Sequence, residues 1–337
     1  MSIWANPLGV YLIAEIGGNH EGDFNKAKEL AELACTTGVD AVKFQIYTAD
    51  SLVNKVEDPG RNAHFKKFEL TPEQHIALAK ICQSNKVTYS ASIWDIDAIE
   101  WIDPYMEFYK VGSGDLTAYP FLERIAIIGK PIIISTGLAK LEEVKESVEF
   151  LREKNNIYRK SDYLALLQCT SSYPLPESDV NLRVIKTFKD KFDVTVGYSD
   201  HTIDSFAAEV AVSIGAEILE IHFTDDKHRK TFRDHQISFT VEEIEDLIDK
   251  IKRIKILQGS PTKSPTESET DPGQVNSFRR GIYATHDIPK GKIISKNDLI
   301  VLRPNHGLDA RLFKKIIGKK IKKNVNHYDR FNEDMFN

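Results

Sequence analysis

Cysteine is scarce in this chain: Cys35, Cys82 and Cys169 are the only three in 337 residues. An odd number, widely spaced, excludes a disulfide framework and predicts reduced thiols, with Cys35 and Cys82 packed inside helical patterns. No apolar run approaches the roughly 20 residues of a membrane-spanning helix. The N-terminal stretch also lacks the basic segment followed by an apolar one that marks a secretory leader. A cytoplasmic protein without a membrane partner is therefore expected. An excess of positive charge is missing too, since 45 Lys and Arg stand against 50 Asp and Glu for a net charge of -5. That argues against nucleic acid as a partner, and the basic run 314–323 (KKIIGKKIKK) reads as a solvated, partly helical face. The glycine fingerprint of a dinucleotide-binding fold is absent, because Gly17-Gly18-Asn19 does not match it.

What is present is a large supply of core residues, 41% of the chain being hydrophobic, arranged in alternating strand-like and helix-like segments. Apolar, β-branched runs occur at 11–16, 41–46, 87–92, 108–111, 131–135, 163–167, 194–198 and 217–222. Helical periodicity occupies 24–37, 72–85, 96–102, 121–128, 141–154, 181–191, 205–214 and 241–257, with Thr71 capping the helix that Pro72 opens. Eight strand-then-helix units over about 250 residues predict an α/β fold, the (β/α)8 TIM barrel. An open doubly wound sheet would use fewer strands. The pattern breaks at Gly259, giving a barrel over 1–258, a Pro/Ser/Thr-rich linker over 259–277 and a small β-rich domain over 278–337.

In a TIM barrel, polar residues at the C-terminal ends of strands build the active site. Two such ends carry histidine: Gly197-Tyr198-Ser199-Asp200-His201-Thr202 and Glu220-Ile221-His222-Phe223. One helical stretch separates them, so His201 and His222 fall at the same end of consecutive parallel strands, in reach of one metal. Paired imidazoles suit Mn, Fe, Co or Zn better than Ca. The other ends supply Glu15, Lys43, Gln45, Lys110, Ser113, Asp115, Ser135, Thr170, Ser171, Tyr173 and Ser199. A ring of hydroxyls, small loops and lysines suits a phosphate. Lys43 is the sharpest case, because an ammonium inside an apolar strand needs an anionic partner, either a ligand or Glu15 on the adjacent strand.

The segments 13–20 (IAEIGGNH), 41–45 (AVKFQ), 109–115 (YKVGSGD), 130–137 (KPIIISTG) and 167–174 (LQCTSSYP), with 197–202 and 220–224, resemble the sialic acid synthase family. The stretch 277–284 (SFRRGIYA), followed by 287–291 (DIPKG) and 302–304 (LRP), resembles that family's antifreeze-like SAF domain. The resemblance covers essentially the whole chain in order. It implies condensation of phosphoenolpyruvate with an N-acetylmannosamine-type sugar to a nine-carbon 2-keto acid. It also implies a divalent metal, manganese first and magnesium or cobalt as alternatives, and a homodimer in which each SAF domain covers the partner's barrel mouth.

Carried over by position, His201 and His222 would be metal ligands, Glu15 would contact the sugar, and Glu220 would lie beside the reacting carbons. Lys43, Lys130, Ser113, Ser135 and Ser199 would surround the phosphoenolpyruvate, with Thr170 and Ser171 nearby; Tyr173 and Asp234 would face the sugar, and Arg303 would come from the other subunit. Lys130 precedes Pro131 at a strand start, so Lys110 is the alternative carrier of its charge. Two departures from the family pattern fall near the expected sugar site: Thr231-Phe232-Arg233-Asp234-His235 replaces a Gly-Pro-Asp-His loop, and Ser171 replaces an asparagine. Both favour a 2,4-diacetamido-2,4,6-trideoxy sugar as acceptor. The alternatives are a phosphorylated aldose, for which Arg229, Lys230 and Arg233 could supply charge, and a non-catalytic sugar-binding scaffold.

Overall fold

Residue parity decides which face of each strand is buried where. In the computed structural model, which describes residues 3–271 and 273–336, the eight strands are β1 (Tyr11–Glu15), β2 (Ala41–Ile46), β3 (Thr88–Ile93), β4 (Tyr109–Val111), β5 (Ile132–Ser135), β6 (Leu164–Gln168), β7 (Thr195–Ser199) and β8 (Ile218–His222). They pair in sequence order, and β1 pairs with β8 to close a parallel barrel. One parity set, including Leu12, Val42, Tyr89, Ile134, Leu166 and Ile221, faces outward into the main core under the helices. The other set faces the barrel axis, where Tyr11, Ile13, Ala41, Ile133, Ala165, Leu167 and Ile218 join Trp4 and Phe108 in a second apolar cluster. Further along the same inward parity, the residue type changes to Glu15, Lys43, Gln45, Lys110, Ser135, Ser199, Glu220 and His222. The barrel is thus apolar at its base and ionic at the C-terminal ends of its strands, as expected where stability and chemistry occupy opposite ends.

The connecting helices are α1 (Phe24–Thr36), α2 (Ala49–Leu52), α3 (Pro59–Lys66), α4 (Pro72–Ser84), α5 (Ile99–Ile102), α6 (Tyr119–Ile128), α7 (Leu141–Lys154), α8 (Arg183–Lys191), α9 (Phe206–Ser213) and α10 (Val241–Gln258). Thr71 caps α4 in a full capping box with Gln74, and Asp23 caps α1 through its side chain. α2 and α3 are absent from the sequence reading. They lack an apolar stripe, α3 having only Asn62 buried, so tertiary placement rather than periodicity reports them. No helix among the described residues is long and apolar enough to cross a membrane.

The chain divides into two units, Met1–Gly259 and Ser260–Asn337. Residues 259–277, read as linker, instead carry two short helices, Glu267–Thr270 and Gln274–Phe278, the first opened by a Thr266 capping box. The second unit pairs β9 (Gly281–Ala284) antiparallel with β10 (Leu299–Leu302) over its own core of Ile282, Ile288, Leu308, Ile321 and Phe331. Ile316 and Ile321 from the basic run enter that core while Lys319, Lys320, Lys322 and Lys323 stay exposed.

His75 is one of the buried bases expected to make the barrel acid-sensitive. His75 on α4 is 1% exposed, meets Tyr89 Oη through Nδ1 at 3.0 Å, and is lowered to about 3 by burial and then by His20. The unfolded chain takes up that proton near pH 6.5, so stability present above 6.5 is lost as pH falls toward the folded value. His75→Gln keeps a polar partner for Tyr89 and is expected to flatten the slope of urea midpoint against pH between 6.5 and 4. The change corresponds to one proton, about 1.4 kcal/mol per pH unit at most. An unchanged slope assigns the acid sensitivity to other groups.

Candidate active site

Adjacent strands bring the inward ionic layer together by register: Glu15 lies opposite both Lys43 and His222, Ser92 opposite Lys110, and Ser199 opposite Glu220. Lys43 Nζ contacts Glu15 Oε2 at 2.5 Å and Glu220 Oε2 at 3.8 Å, while Lys110 Nζ lies 3.4 Å from Glu220 Oε1. The four side chains form an alternating acid–base chain buried in the barrel. Lys110 also donates to Ser135 Oγ at 2.7 Å, Lys43 to Ser92 Oγ at 3.3 Å, and Ser199 Oγ to Glu220 Oε1 at 3.0 Å.

The two carboxyls are driven apart. Burial pushes Glu15 up to about 7, only partly offset by Lys43, which pairs with it. Burial also opposes the charge on Glu220, yet Lys110 and then Lys43 bring it down to about 2. Lys43 is raised because Glu15 and Glu220 outweigh burial, whereas burial wins at Lys110 and lowers it. Two carboxyls with separated values in one site are the usual mark of distinct proton roles. Lys43 therefore has the internal partner weighed at the sequence level, and Gln45 Nε2 adds a bond to Glu15 Oε1 at 3.0 Å.

The imidazoles of His201 and His222 stand with ring centroids 5.4 Å apart, and Tyr173 lies over His201 at 4.1 Å. Burial, followed by His222, lowers His201 to about 3; burial, followed by Lys43, lowers His222 to about 3. Both rings are neutral at physiological pH and able to donate lone pairs. His201 Nδ1 meets Thr170 O at 2.8 Å, which as an N–H donor leaves Nε2 a bare acceptor, the arrangement a metal-binding histidine commonly shows. Buried His222 Nδ1 has no hydrogen-bond partner among the described residues. The donor set fits a divalent cation. Among the described residues no third His, Cys, Asp or Glu completes a metal-holding group, so water or substrate would fill the remaining positions.

These groups line a cavity of about 440 Å³ at the strand C-termini, together with Ser113, Ser171, Tyr173, Cys169 and Asp234. Ser113 Oγ accepts from Gly137 N at 3.0 Å, and a Cβ at Gly137 would stand 2.5 Å from Ser171 Oγ, so only glycine lets the hydroxyls converge there. Arg233 donates through Nε to Asp234 Oδ1 at 3.0 Å and lies over the Tyr173 ring at 4.8 Å. Burial raises Asp234, with Arg233 opposing.

Some expected site residues are placed elsewhere. Lys130 sits before β5 at the barrel's opposite end, paired with Asp103 Oδ1 at 2.8 Å and donating to Asp103 O at 2.6 Å; Lys110 holds the position in the site. Thr170 turns its hydroxyl to Asp179 O at 3.0 Å and serves the site through its carbonyl. Arg303, expected to come from the other subunit and so not to reach its own chain's site, is part of the second unit, its guanidinium 5.5 Å from the Phe278 ring centroid. Of the cations considered for a phosphorylated acceptor, Lys230 is tied to Asp225 at 2.6 Å and Arg229 is 90% exposed beside Asp226; of the three, Arg233 alone lines the cavity. Sequence reading missed Tyr47, Arg61, His64, Phe65, Phe68 and Trp94, which also line it. Most come from α3 and its flanks, where no motif marks them.

The NeuB family profile matches residues 30–263, and that of the SAF domain matches residues 279–326. The N,N'-diacetyllegionaminic acid synthase of Legionella pneumophila is 36% identical over 330 residues, 94% of this chain and 91% of that protein. The human N-acetylneuraminate-9-phosphate synthase is 31% identical over 339 residues, 96% and 92% of the two chains. Among solved structures, N-acetylneuraminic acid synthetase of Leptospira borgpetersenii in complex with citrate is 30% identical with a TM-score of 0.73, covering 80% of this chain and 91% of that one.

Proposed function

The chain belongs to the NeuB family, and from that membership and its site we propose that it condenses phosphoenolpyruvate with an open-chain, N-acetylated amino sugar, releasing phosphate and a nine-carbon 2-keto acid. The observation that carries this reading is the buried chain Glu15–Lys43–Glu220–Lys110 beside two neutral imidazoles. It offers two cations and a set of hydroxyls for an anionic substrate, and carboxyls of opposite protonation bias for the carbon chemistry.

Carbon 3 of phosphoenolpyruvate attacks the aldehyde carbon, carbon 2 becomes cationic, water adds there, and phosphate departs with cleavage of the carbon–oxygen bond. Lys43 and Lys110 hold the carboxylate and phosphate, with Ser113, Ser135 and Ser199 as hydroxyl partners. They accelerate the reaction only to the degree that they bind the transition state better than the substrates. Ionised Glu220 stabilises positive character at carbon 2 and orients the incoming water. Glu15, near 7, is the group able to give the aldehyde oxygen its proton. His201 and His222 would hold a divalent cation, manganese in first place, and when bound it supplies Lewis-acid polarisation of the acceptor.

For the acceptor we propose a 2,4-diacetamido-2,4,6-trideoxy sugar ahead of N-acetylmannosamine. Supporting it are Ser171, the altered 231–235 loop, and the similarity to a diacetyllegionaminic acid synthase. The test measures phosphate release from phosphoenolpyruvate and Mn²⁺ with each sugar in turn. Release with the diacetamido sugar supports the reading. Release with N-acetylmannosamine alone corrects the acceptor, and silence with every acceptor removes the reading.

A further inference from the structure

Part of the cavity lining is aromatic. The loop after β8 sends Phe232 across to the segment after α3, its ring 4.9 Å from Phe68 and 6.4 Å from His64, with His64 and Phe68 4.9 Å apart. Phe65 continues the surface inward to Tyr47 at 5.3 Å and Trp94 at 6.3 Å. Gly18, in the loop after β1, makes room for this arrangement: a Cβ there would stand 2.9 Å from Phe232 Cζ. Phe65, Phe68 and Phe232 are only half-buried, and all three line the cavity. Apolar surface left open beside a polar site favours a ligand with an apolar part.

The charges of the loop do not offset that preference. Lys230 and Arg233 are each held by a carboxylate of the loop itself, Asp225 and Asp234. Of the loop's described cations only Arg233 lines the cavity, and its Nε is already given to Asp234, so a phosphate ester entering here would shed its hydration and compete with that carboxylate. Among the described residues that line the cavity, Arg61 is the one cation from α3, exposed and 5.7 Å from the Phe65 ring centroid.

We infer that Phe232, seated on Phe68 and His64 over Gly18, is the specificity-determining element of the acceptor site, selecting a sugar with a methyl group where a hydroxymethyl or phosphate ester could stand. This rests on the condensation reading above. A pocket of this kind discriminates by contact with the methyl group, and hydrophobic pockets distinguish such small changes by about ten- to two-hundredfold.

The experiment compares kcat/KM for three acceptors that differ only at carbon 6: the 2,4-diacetamido-2,4,6-trideoxy sugar, its 6-hydroxy counterpart and the 6-phosphate ester. The unaltered protein is expected to prefer the methyl compound over the hydroxymethyl one by about tenfold or more. Phe232→Ala, and independently Phe68→Ala, should bring that ratio to within about threefold while leaving half-saturation by phosphoenolpyruvate unchanged. Thermal melting checks that each variant folds. An unchanged ratio in both folded variants overturns the inference. Preference for the phosphate ester overturns it as well and assigns the rim to Arg61. No turnover with any acceptor in the unaltered protein removes the condensation reading, and this inference with it.

Discussion

His222→Ala is expected to abolish acceptor-dependent phosphate release, lowering turnover by about a thousandfold or more, while the barrel still folds. The imidazole is buried, yet its Nδ1 makes no hydrogen bond among the described residues, and none of the bonds that tie Glu15, Lys43, Glu220 and Lys110 together runs through it. Its loss leaves one protein donor, His201, where the pair had been. Changing an outer partner of a metal ligand already costs roughly 10- to 100-fold in affinity or activity, and deleting one ligand of two should cost more. Two readouts separate metal loss from general damage: the affinity for Mn²⁺ by titration, expected to fall at least about a hundredfold, and the melting temperature, expected to change little. Near-normal turnover in protein stripped by chelator would remove the Lewis-acid role proposed for the cation that the pair would hold.

Lys43→Met tests the ionic layer and should affect both rate and stability. Lys43 is held between Glu15 at 2.5 Å and Glu220 at 3.8 Å. Methionine keeps the length and removes the charge. Breaking a buried pair typically costs about 3–5 kcal/mol because the abandoned charge stays buried. Glu15, already pushed up to about 7 by burial, escapes part of that by taking a proton, so about 1–3 kcal/mol is expected at neutral pH. The sign with pH follows. In the variant Glu15 has a folded value raised above its unfolded one near 4.5; its full contribution is present below that value and is lost as pH rises through the folded one. The unaltered protein shares this trend up to about 7, where its own Glu15 ionises beside Lys43, so the deficit relative to it should be flat at acid pH and grow as pH rises above about 7, read as urea midpoints. Adding Glu15→Leu should restore stability at high pH but not turnover, which is expected to fall about a thousandfold with Lys43→Met alone. A deficit independent of pH would show that Glu15 stays ionised.

The barrel was legible because period-two burial leaves its mark twice. The outward positions are apolar apart from Gln168 at the end of β6, as in Leu12, Val42 and Ile134, and strand runs predicted from them agree with the structure to within about one residue. The inward parity was legible only at its upper end, where Lys43, Lys110 and Glu220 interrupt apolar runs. Placement of strand ends decided the rest. Lys110 and Lys130 both neighbour short apolar runs, but Lys110 lies within β4 at the active end whereas Lys130 precedes β5 and pairs with Asp103. Thr170 lay at the right place with its hydroxyl turned away, a rotation no spacing reports. The aromatic rim was invisible for another reason. Phe65 lies on α3, a helix without an apolar stripe, Phe68 and Phe232 come from loops with no fixed periodicity, and the meeting of those two depends on Gly18 leaving space from a third loop.

The most direct test of the central claim is the fate of an oxygen. Phosphoenolpyruvate carrying ¹⁸O at the oxygen that bridges carbon 2 and phosphorus is turned over with the acceptor sugar, and phosphate and product are weighed by mass spectrometry. Condensation with addition of water at carbon 2 predicts that the label leaves with phosphate and that the product carries the acceptor and pyruvate carbons without it. Label retained in the keto acid, or phosphate released without an acceptor, would contradict the account.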